Sequence, residues 1–223
     1  MPRVARIVVP GVPHHVTQRG NNRQTVFFSD DDRWFYLALL KEHCIRFRLT
    51  VWAYCLMPNH VHIVATPGDE DSLAKGIGRT NFRYAQHINR LRRRCGHLWQ
   101  NRFYSCALEE VHLWRAIRYV ERNPVRAGLV RLPWRYRWSS ASAHIGGADA
   151  TGLLNMPVWQ GEWKSRRWAD ALRELDEEVV DRMRASTHTG RPVGEEDFLS
   201  KLERRLGRRL RPLPVGRPRL KNR

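Results

Sequence analysis

His60 and His62 are two imidazoles one residue apart, and that spacing is the first in this chain to suggest chemistry. They sit in a β-forming run, residues 60–66. A strand repeats every two residues, so both rings point to one face while Val61 and Ile63 point to the other. Two such imidazoles can chelate one divalent ion, or they can be ordinary strand histidines. A dinuclear-hydrolase pattern would need Asp at position 64 and a histidine-triad pattern would need His there; Val64 fits neither. Candidate partners lie on a helix expected from about Glu109 to Asn123, which Pro124 should stop. Leu113, Ile117 and Val120 form its apolar stripe, and Tyr119 and Asn123, four residues apart, share a neighbouring face. A tyrosine can attack a phosphodiester that a metal polarises, and an asparagine can offer a neutral oxygen ligand. Two His and an amide oxygen suit Mg²⁺ or Mn²⁺, whereas zinc more often recruits Cys or a carboxylate. The plainer alternatives are a half-buried packing Tyr and a helix-ending Asn. His112 falls on the same face and reads as a surface histidine.

The elements that would carry these residues follow from pattern and punctuation. Residues 12–19 read as a short strand ending in a turn at Gly20-Asn21-Asn22. Asp30-Asp31-Asp32 opens a helix over 30–48, with Trp34, Leu37, Leu40, Cys44 and Phe47 at helical spacing. Residues 49–57 and 60–66 form a hairpin around Pro58-Asn59, and Ser72 begins a helix running to about Arg94. A strand at 102–107 precedes the helix bearing Tyr119. The order strand, helix, two strands, helix, strand predicts an α+β, ferredoxin-like (split βαβ) sheet with helices on one face. Glycines at 146, 147 and 152 mark a boundary near residue 145. The expected organisation is a catalytic domain at 1–145, a helical extension at 146–210 and a basic, disordered tail at 211–223.

Charge narrows the partners. The 223 residues hold 40 Lys+Arg against 22 Asp+Glu, a net charge of +18. Ten Lys+Arg and one Glu lie in residues 201–223, and six Arg with no acid lie in 81–104, so two segments hold +9 and +6 of the excess. Such clustering is the footprint of a polyanion binder, nucleic acid above all. No run approaches the roughly 18 apolar residues of a membrane span, and no secretory leader is evident, so a cytoplasmic, nucleoid-associated protein with no membrane partner is expected. Cys44, Cys55, Cys95 and Cys106 lack C-x-x-C spacing and read as reduced thiols. For DNA contacts the candidates are Arg19 and Asn22 after the first strand, Arg83 and Arg90 on the second helix, Arg102, and Arg217 in the tail. Pro214 to Arg219 resembles an AT-hook, a Gly-Arg-Pro segment suited to narrow minor grooves.

Longer motifs are more specific. Leu56-Met57-Pro58-Asn59-His60-Val61-His62-Ile63 resembles the signature of the HUH single-strand DNA transposases, the IS200-like superfamily. Arg118 to Val130, reading RYVERNPVRAGLV, is similar to the catalytic-helix signature of the REP-associated tyrosine transposases. Supporting matches at 15–20, 98–105 and 136–140 follow in family order and extend the resemblance over about residues 6–145. The resemblance implies that Tyr119 attacks DNA to form a 5′-phosphotyrosine. It also implies that His60, His62 and Asn123 hold Mg²⁺ or Mn²⁺, and that the substrate is single-stranded hairpin DNA from repeated extragenic palindromes. No small-molecule cofactor is expected, and the sequence leaves monomer or homodimer open. The rival is a non-catalytic single-strand nucleic-acid-binding protein with an RRM-like sheet, which leaves the co-occurrence of the two His, Tyr119 and Asn123 unexplained.

Overall fold

A computed structural model describes residues 6–174 and 177–211. Four strands, β1 (His14–Arg19), β2 (Leu49–Met57), β3 (His60–Pro67) and β4 (Tyr104–Ala107), form one sheet in the order β2-β3-β1-β4. Every neighbouring pair is antiparallel, which is the strand order of the split βαβ arrangement. Helices α1 (Asp30–Arg46) and α2 (Arg79–Leu91) lie between its strands in sequence. Beyond the sheet come α3 (Glu110–Glu121), α4 (Asn123–Arg126), α5 (Ala141–His144), α6 (Met156–Glu162), α7 (Ser165–Ala171), α8 (Glu177–Thr189) and α9 (Glu196–Leu206).

Local chemistry explains where α1 begins. Ser29 caps it by accepting from Asp32 N–H, and the Asp32 carboxylate accepts in return from Ser29 N–H, a reciprocal capping box. Its buried side, including Tyr36, Leu37 and Leu40, packs with Tyr84 and Ile88 of α2 against Val16, Tyr54, Val61 and Ile63. The second helical run begins at Ser72, as expected. Ser72 Oγ accepts from Asp69 N–H in a turn, and a π-helical turn at Ala74–Gly78 leads into α2.

The opposite face of the sheet is also covered. Ala53, Cys55, Met57, Val64 and Cys106 pack there against Leu113, Ala116, Ile117 and Val120 of α3, which is the stripe read from the sequence. The expectation of helices on one face therefore holds for α1 and α2 but not for α3. An amphipathic stripe says which side of a helix is buried, not which face of a sheet it covers. α3 ends at Glu121, ahead of Pro124. Pro124 then occupies the first turn of the separate α4, where a missing N–H breaks no helical bond, so helical structure resumes through Arg126.

Residues 146–210 share this second core. Trp159, Trp168, Leu172, Val180 and Met183 from α6, α7 and α8 are buried in it, while Leu202 of α9 packs with Val9 and Ala107. Among the described residues, no helix is long and apolar enough to cross a membrane. All four cysteines are free; Cys44, Cys55 and Cys106 are buried and Cys95 is exposed.

Candidate active site

Strand register brings the first groups together. His60 and His62 of β3 pair with Arg19 and Thr17 of β1, while His15 pairs with Val64. Alternation then puts His15, His60 and His62 on the face that α3 covers. The His60 and His62 rings lie 5.0 Å apart, and His62 and His15 have ring centroids 5.1 Å apart. Tyr119 of α3 meets both His62 and His15 edge-on, each at 5.6 Å. The structure thus gathers the two strand histidines and the helix tyrosine that the sequence singled out. Asn123 sits one turn further along, with Nδ2 donating to the Tyr119 and Val120 carbonyls at 3.0 and 3.3 Å. That use of the amide nitrogen leaves Oδ1, with its lone pairs, as the group's available acceptor.

The turn before His60 is fastened by the segment after β1. Gly20 N–H donates to Asn59 O at 2.8 Å, Val26 N–H donates to Pro58 O at 2.9 Å, and Asn59 Nδ2 donates to Arg23 O at 3.0 Å. A Cβ on Gly20 would lie 2.3 Å from Gln24 O, so no larger residue fits there. With its amide nitrogen committed to Arg23, Asn59 presents Oδ1 to His60 Nδ1 at 2.6 Å. His60 Nδ1 therefore donates, and its Nε2 carries the free lone pair.

Electrostatics keep the rings neutral. Burial lowers the His60 pKa to about 4, and Arg19 and Arg126 add to the shift. Burial pushes His62 well below its ordinary value, with His60, His15, Arg126 and Arg19 reinforcing the effect, and it lowers His15 to about 3. Neutral imidazoles are the form that binds metals. Among the described residues no group of three or more His, Cys, Asp and Glu is arranged to hold a metal ion. A metal at this site would rest on the His60 and His62 imidazoles and the Asn123 amide oxygen, two borderline nitrogen donors joined by one hard oxygen.

Three residues here carry no signal that sequence pattern could isolate. His15 and Thr187 touch across the fold, His15 Nδ1 to Thr187 Oγ1 at 2.7 Å. Arg126 lies over the Tyr119 ring, its Cζ 4.8 Å from the centroid, and its Nη1 is buried with no hydrogen-bond partner among the described residues. His15 and Arg126 fall within matched motifs, but nothing in those motifs marks them apart from their neighbours. His112, expected at the surface, is instead only 4% exposed near the start of α3, and burial lowers its pKa.

The DNA-contact candidates divide between two regions. Arg19 is exposed opposite His60, and Asn22 is exposed in the adjoining turn with a left-handed φ of 48°. Arg83 and Arg90 are exposed on α2, in the layer across the sheet from the histidines. Arg102 is exposed at a cleft of about 690 Å³ between α2 and the 96–103 segment, whose lining includes Arg6, Gln18, Asn81 and Trp99. Trp99 and Phe103 are core residues there. Arg217 and the AT-hook-like segment lie outside the described residues.

The profile of a family described as IS200-like transposases matches residues 9–123, more than half of the chain and the whole of the sheet with α3. The chain belongs to that family. As a member it is a transposase, an enzyme that cuts and rejoins DNA. No relative is found among curated proteins. Among solved structures, this transposase is similar to a REP-associated tyrosine transposase bound to a REP hairpin, at 19% identity and a TM-score of 0.56. That match covers 70% of this chain and 90% of the other, and it supports the fold. A transposase described as putative, from Deinococcus radiodurans, matches 54% of this chain and 97% of its own at 20% identity, with a TM-score of 0.38.

Proposed function

We propose that this transposase is a metal-dependent tyrosine enzyme that nicks and rejoins single-stranded hairpin DNA of repeated extragenic palindromes through a 5′-phosphotyrosine. The observation that carries the reading is the edge-on contact of Tyr119 with His62, 5.6 Å between centroids, beside His60 and Asn123. Tyr119 Oη attacks the scissile phosphorus, the bond from phosphorus to the 3′ oxygen breaks, and that oxygen leaves as a 3′-hydroxyl after taking up a proton. Attack by the 3′-hydroxyl of another strand reverses the exchange and returns the tyrosine, so no ATP is required. His60, His62 and Asn123 would hold Mg²⁺ or Mn²⁺. A bound divalent ion polarises the phosphodiester and offsets its negative charge. Arg126, whose Nη1 beside Tyr119 has no partner among the described residues, supplies donors for a non-bridging phosphate oxygen.

Arg19, Asn22, Arg83, Arg90 and Arg102 are the described residues assigned to DNA, with Arg217 in the tail. Arg19 and Asn22 stand close enough to the histidines to hold nucleotides next to the scissile bond, whereas the others serve flanking duplex or strand. The rival reading, an RRM-like binder without catalysis, requires an open sheet face on which bases stack. Here α1 and α2 cover one face and α3 covers the other.

The deciding experiment incubates the protein with a hairpin oligonucleotide labelled 3′ of the expected nick, with Mg²⁺ or Mn²⁺, and resolves the products on a denaturing gel. A covalent protein–DNA species is expected. It should vanish with chelator and with Tyr119→Phe. Hairpin retention without any adduct, under either metal, would favour the binder.

A further inference from the structure

We infer that Thr187, on α8 in the C-terminal extension, fixes through His15 which nitrogen of His62 carries a proton, and so makes His62 Nε2 a lone-pair donor. Thr187 Oγ1 donates to the Met183 carbonyl at 2.7 Å within its own helix. A hydroxyl has a single proton, so the same oxygen can only accept from His15 Nδ1, 2.7 Å away. His15 is therefore protonated on Nδ1, and as a neutral ring it keeps a lone pair on Nε2. His62 Nδ1 lies 2.9 Å from that Nε2, with the two ring planes 7° from parallel, so the N–H of His62 points along the ring plane at the acceptor. His62 then has its proton on Nδ1 and its lone pair on Nε2.

The polarity matters because the same heavy atoms permit the reverse. If Thr187 donated to His15 Nδ1, each ring would flip its tautomer and His62 Nε2 would carry a hydrogen, a form that binds no metal. One feature opposes the reverse direction: a carbonyl oxygen can only accept, so turning the Thr187 proton toward His15 would leave Thr187 Oγ1 and Met183 O facing each other at 2.7 Å with no hydrogen between them. His60 reaches the same state independently, through Asn59. Thr187 and His15 are positioning residues, and α8 is a functional part of the site rather than an appendage to it. Outer partners of this kind typically change metal affinity by about 10–100-fold when removed.

The metal half of the inference rests on the ligand assignment above; the tautomer half does not. The first measurement is long-range ¹H–¹⁵N correlation on metal-free protein with ¹⁵N-labelled histidine. Nδ1–H patterns for both His15 and His62 are expected, and an Nε2–H pattern on either ring would overturn the relay. The second is Mn²⁺ titration followed by electron paramagnetic resonance. Thr187→Val, near in shape but with no acceptor, should weaken Mn²⁺ binding about 10–100-fold. Thr187→Ser should restore it to within a few-fold of wild type. Unchanged Mn²⁺ affinity in a folded Thr187→Val protein would overturn the coupling. Absence of Mn²⁺ binding to wild type would instead overturn the ligand assignment, with the wild-type tautomers still deciding the relay.

Discussion

Trp168 Nε1, on α7, donates a 2.9 Å hydrogen bond to Glu121 Oε2, two residues from Tyr119. The other oxygen of this fully buried carboxylate meets Ser140 Oγ and His144 Nδ1, both at 2.5 Å. His144 in turn stacks on Trp159 at 3.5 Å between centroids. One carboxylate thus ties the end of the tyrosine-bearing helix to α5 and α7 and, through His144, to α6.

Glu121→Ala would strand the buried Trp168 and His144 donors and leave Ser140 only its 3.4 Å contact with Tyr54 O, so it should destabilise the fold by about 3–5 kcal/mol. Trp168→Phe keeps most of the ring but loses the indole N–H and should cost about 1–3 kcal/mol. Urea unfolding followed by tryptophan fluorescence checks both. A Glu121→Ala protein as stable as wild type would mean that the network contributes nothing to the fold.

Tyr119→Phe removes one oxygen and leaves the edge-on ring contacts with His15 and His62 in place. Covalent adduct and cleavage should disappear while hairpin affinity stays within about 2-fold, since the loss of one hydroxyl without a described hydrogen-bond partner changes little binding energy. Filter binding and a cleavage gel on the same preparation separate the two effects.

The sheet, its two flanking helices and the histidine pair were legible because they depend on local rules: a capping box, a two-residue hairpin turn and the period of a strand. Tyr119 and Asn123 were legible for the same reason, being one helical turn apart. Placement of α3 on the far face was not, since that choice is made by the tertiary packing of Cys55, Val64 and Cys106 against Leu113 and Ile117. Nor could pattern join His15 to Thr187, which are separated by 172 positions. His112 reads as a surface histidine in the sequence, yet it is buried near the start of α3.

His60→Ala and His62→Ala should each abolish metal-dependent cleavage, because the remaining two protein ligands hold a hard ion poorly. Asn123→Ala should retain more activity, since water can replace a neutral amide oxygen. Calorimetric Mg²⁺ or Mn²⁺ titration ranks the variants, and wild-type cleavage that survives a chelator would exclude the metal model.

Acid should unfold the metal-free protein earlier than carboxylate titration alone would do. Burial lowers the His14 pKa to about 4, and both its nitrogens are already used: Nδ1 donates to Val12 O at 2.8 Å and Nε2 accepts from Val9 N–H at 3.4 Å. Between about pH 6.5 and 4 the unfolded chain binds the proton and the folded chain does not, so stability falls as pH falls through that window. The loss for His14 is roughly 1.4 kcal/mol per pH unit. His14→Gln should flatten the pH dependence of urea stability by one proton there, and a slope equal to wild type would contradict the assignment.

Arg126 gives the sharpest test of how phosphate is held. Its guanidinium stands over the Tyr119 ring at 4.8 Å, with Nη1 buried and without a partner among the described residues. A buried, unpaired cationic N–H is costly, and an arriving phosphate oxygen would satisfy it. Removing a preorganised donor that meets charge developing in the transition state commonly costs about 10²–10³ in rate. Arg126→Ala should therefore slow single-turnover cleavage by that factor at saturating hairpin. Arg126→Lys keeps the charge but not the planar fork, and should recover only part of the loss. If Arg126 serves only to pack on Tyr119, Arg126→Met, which fills the space without charge, should cleave like wild type; equal rates for these two proteins would remove Arg126 from the phosphate site.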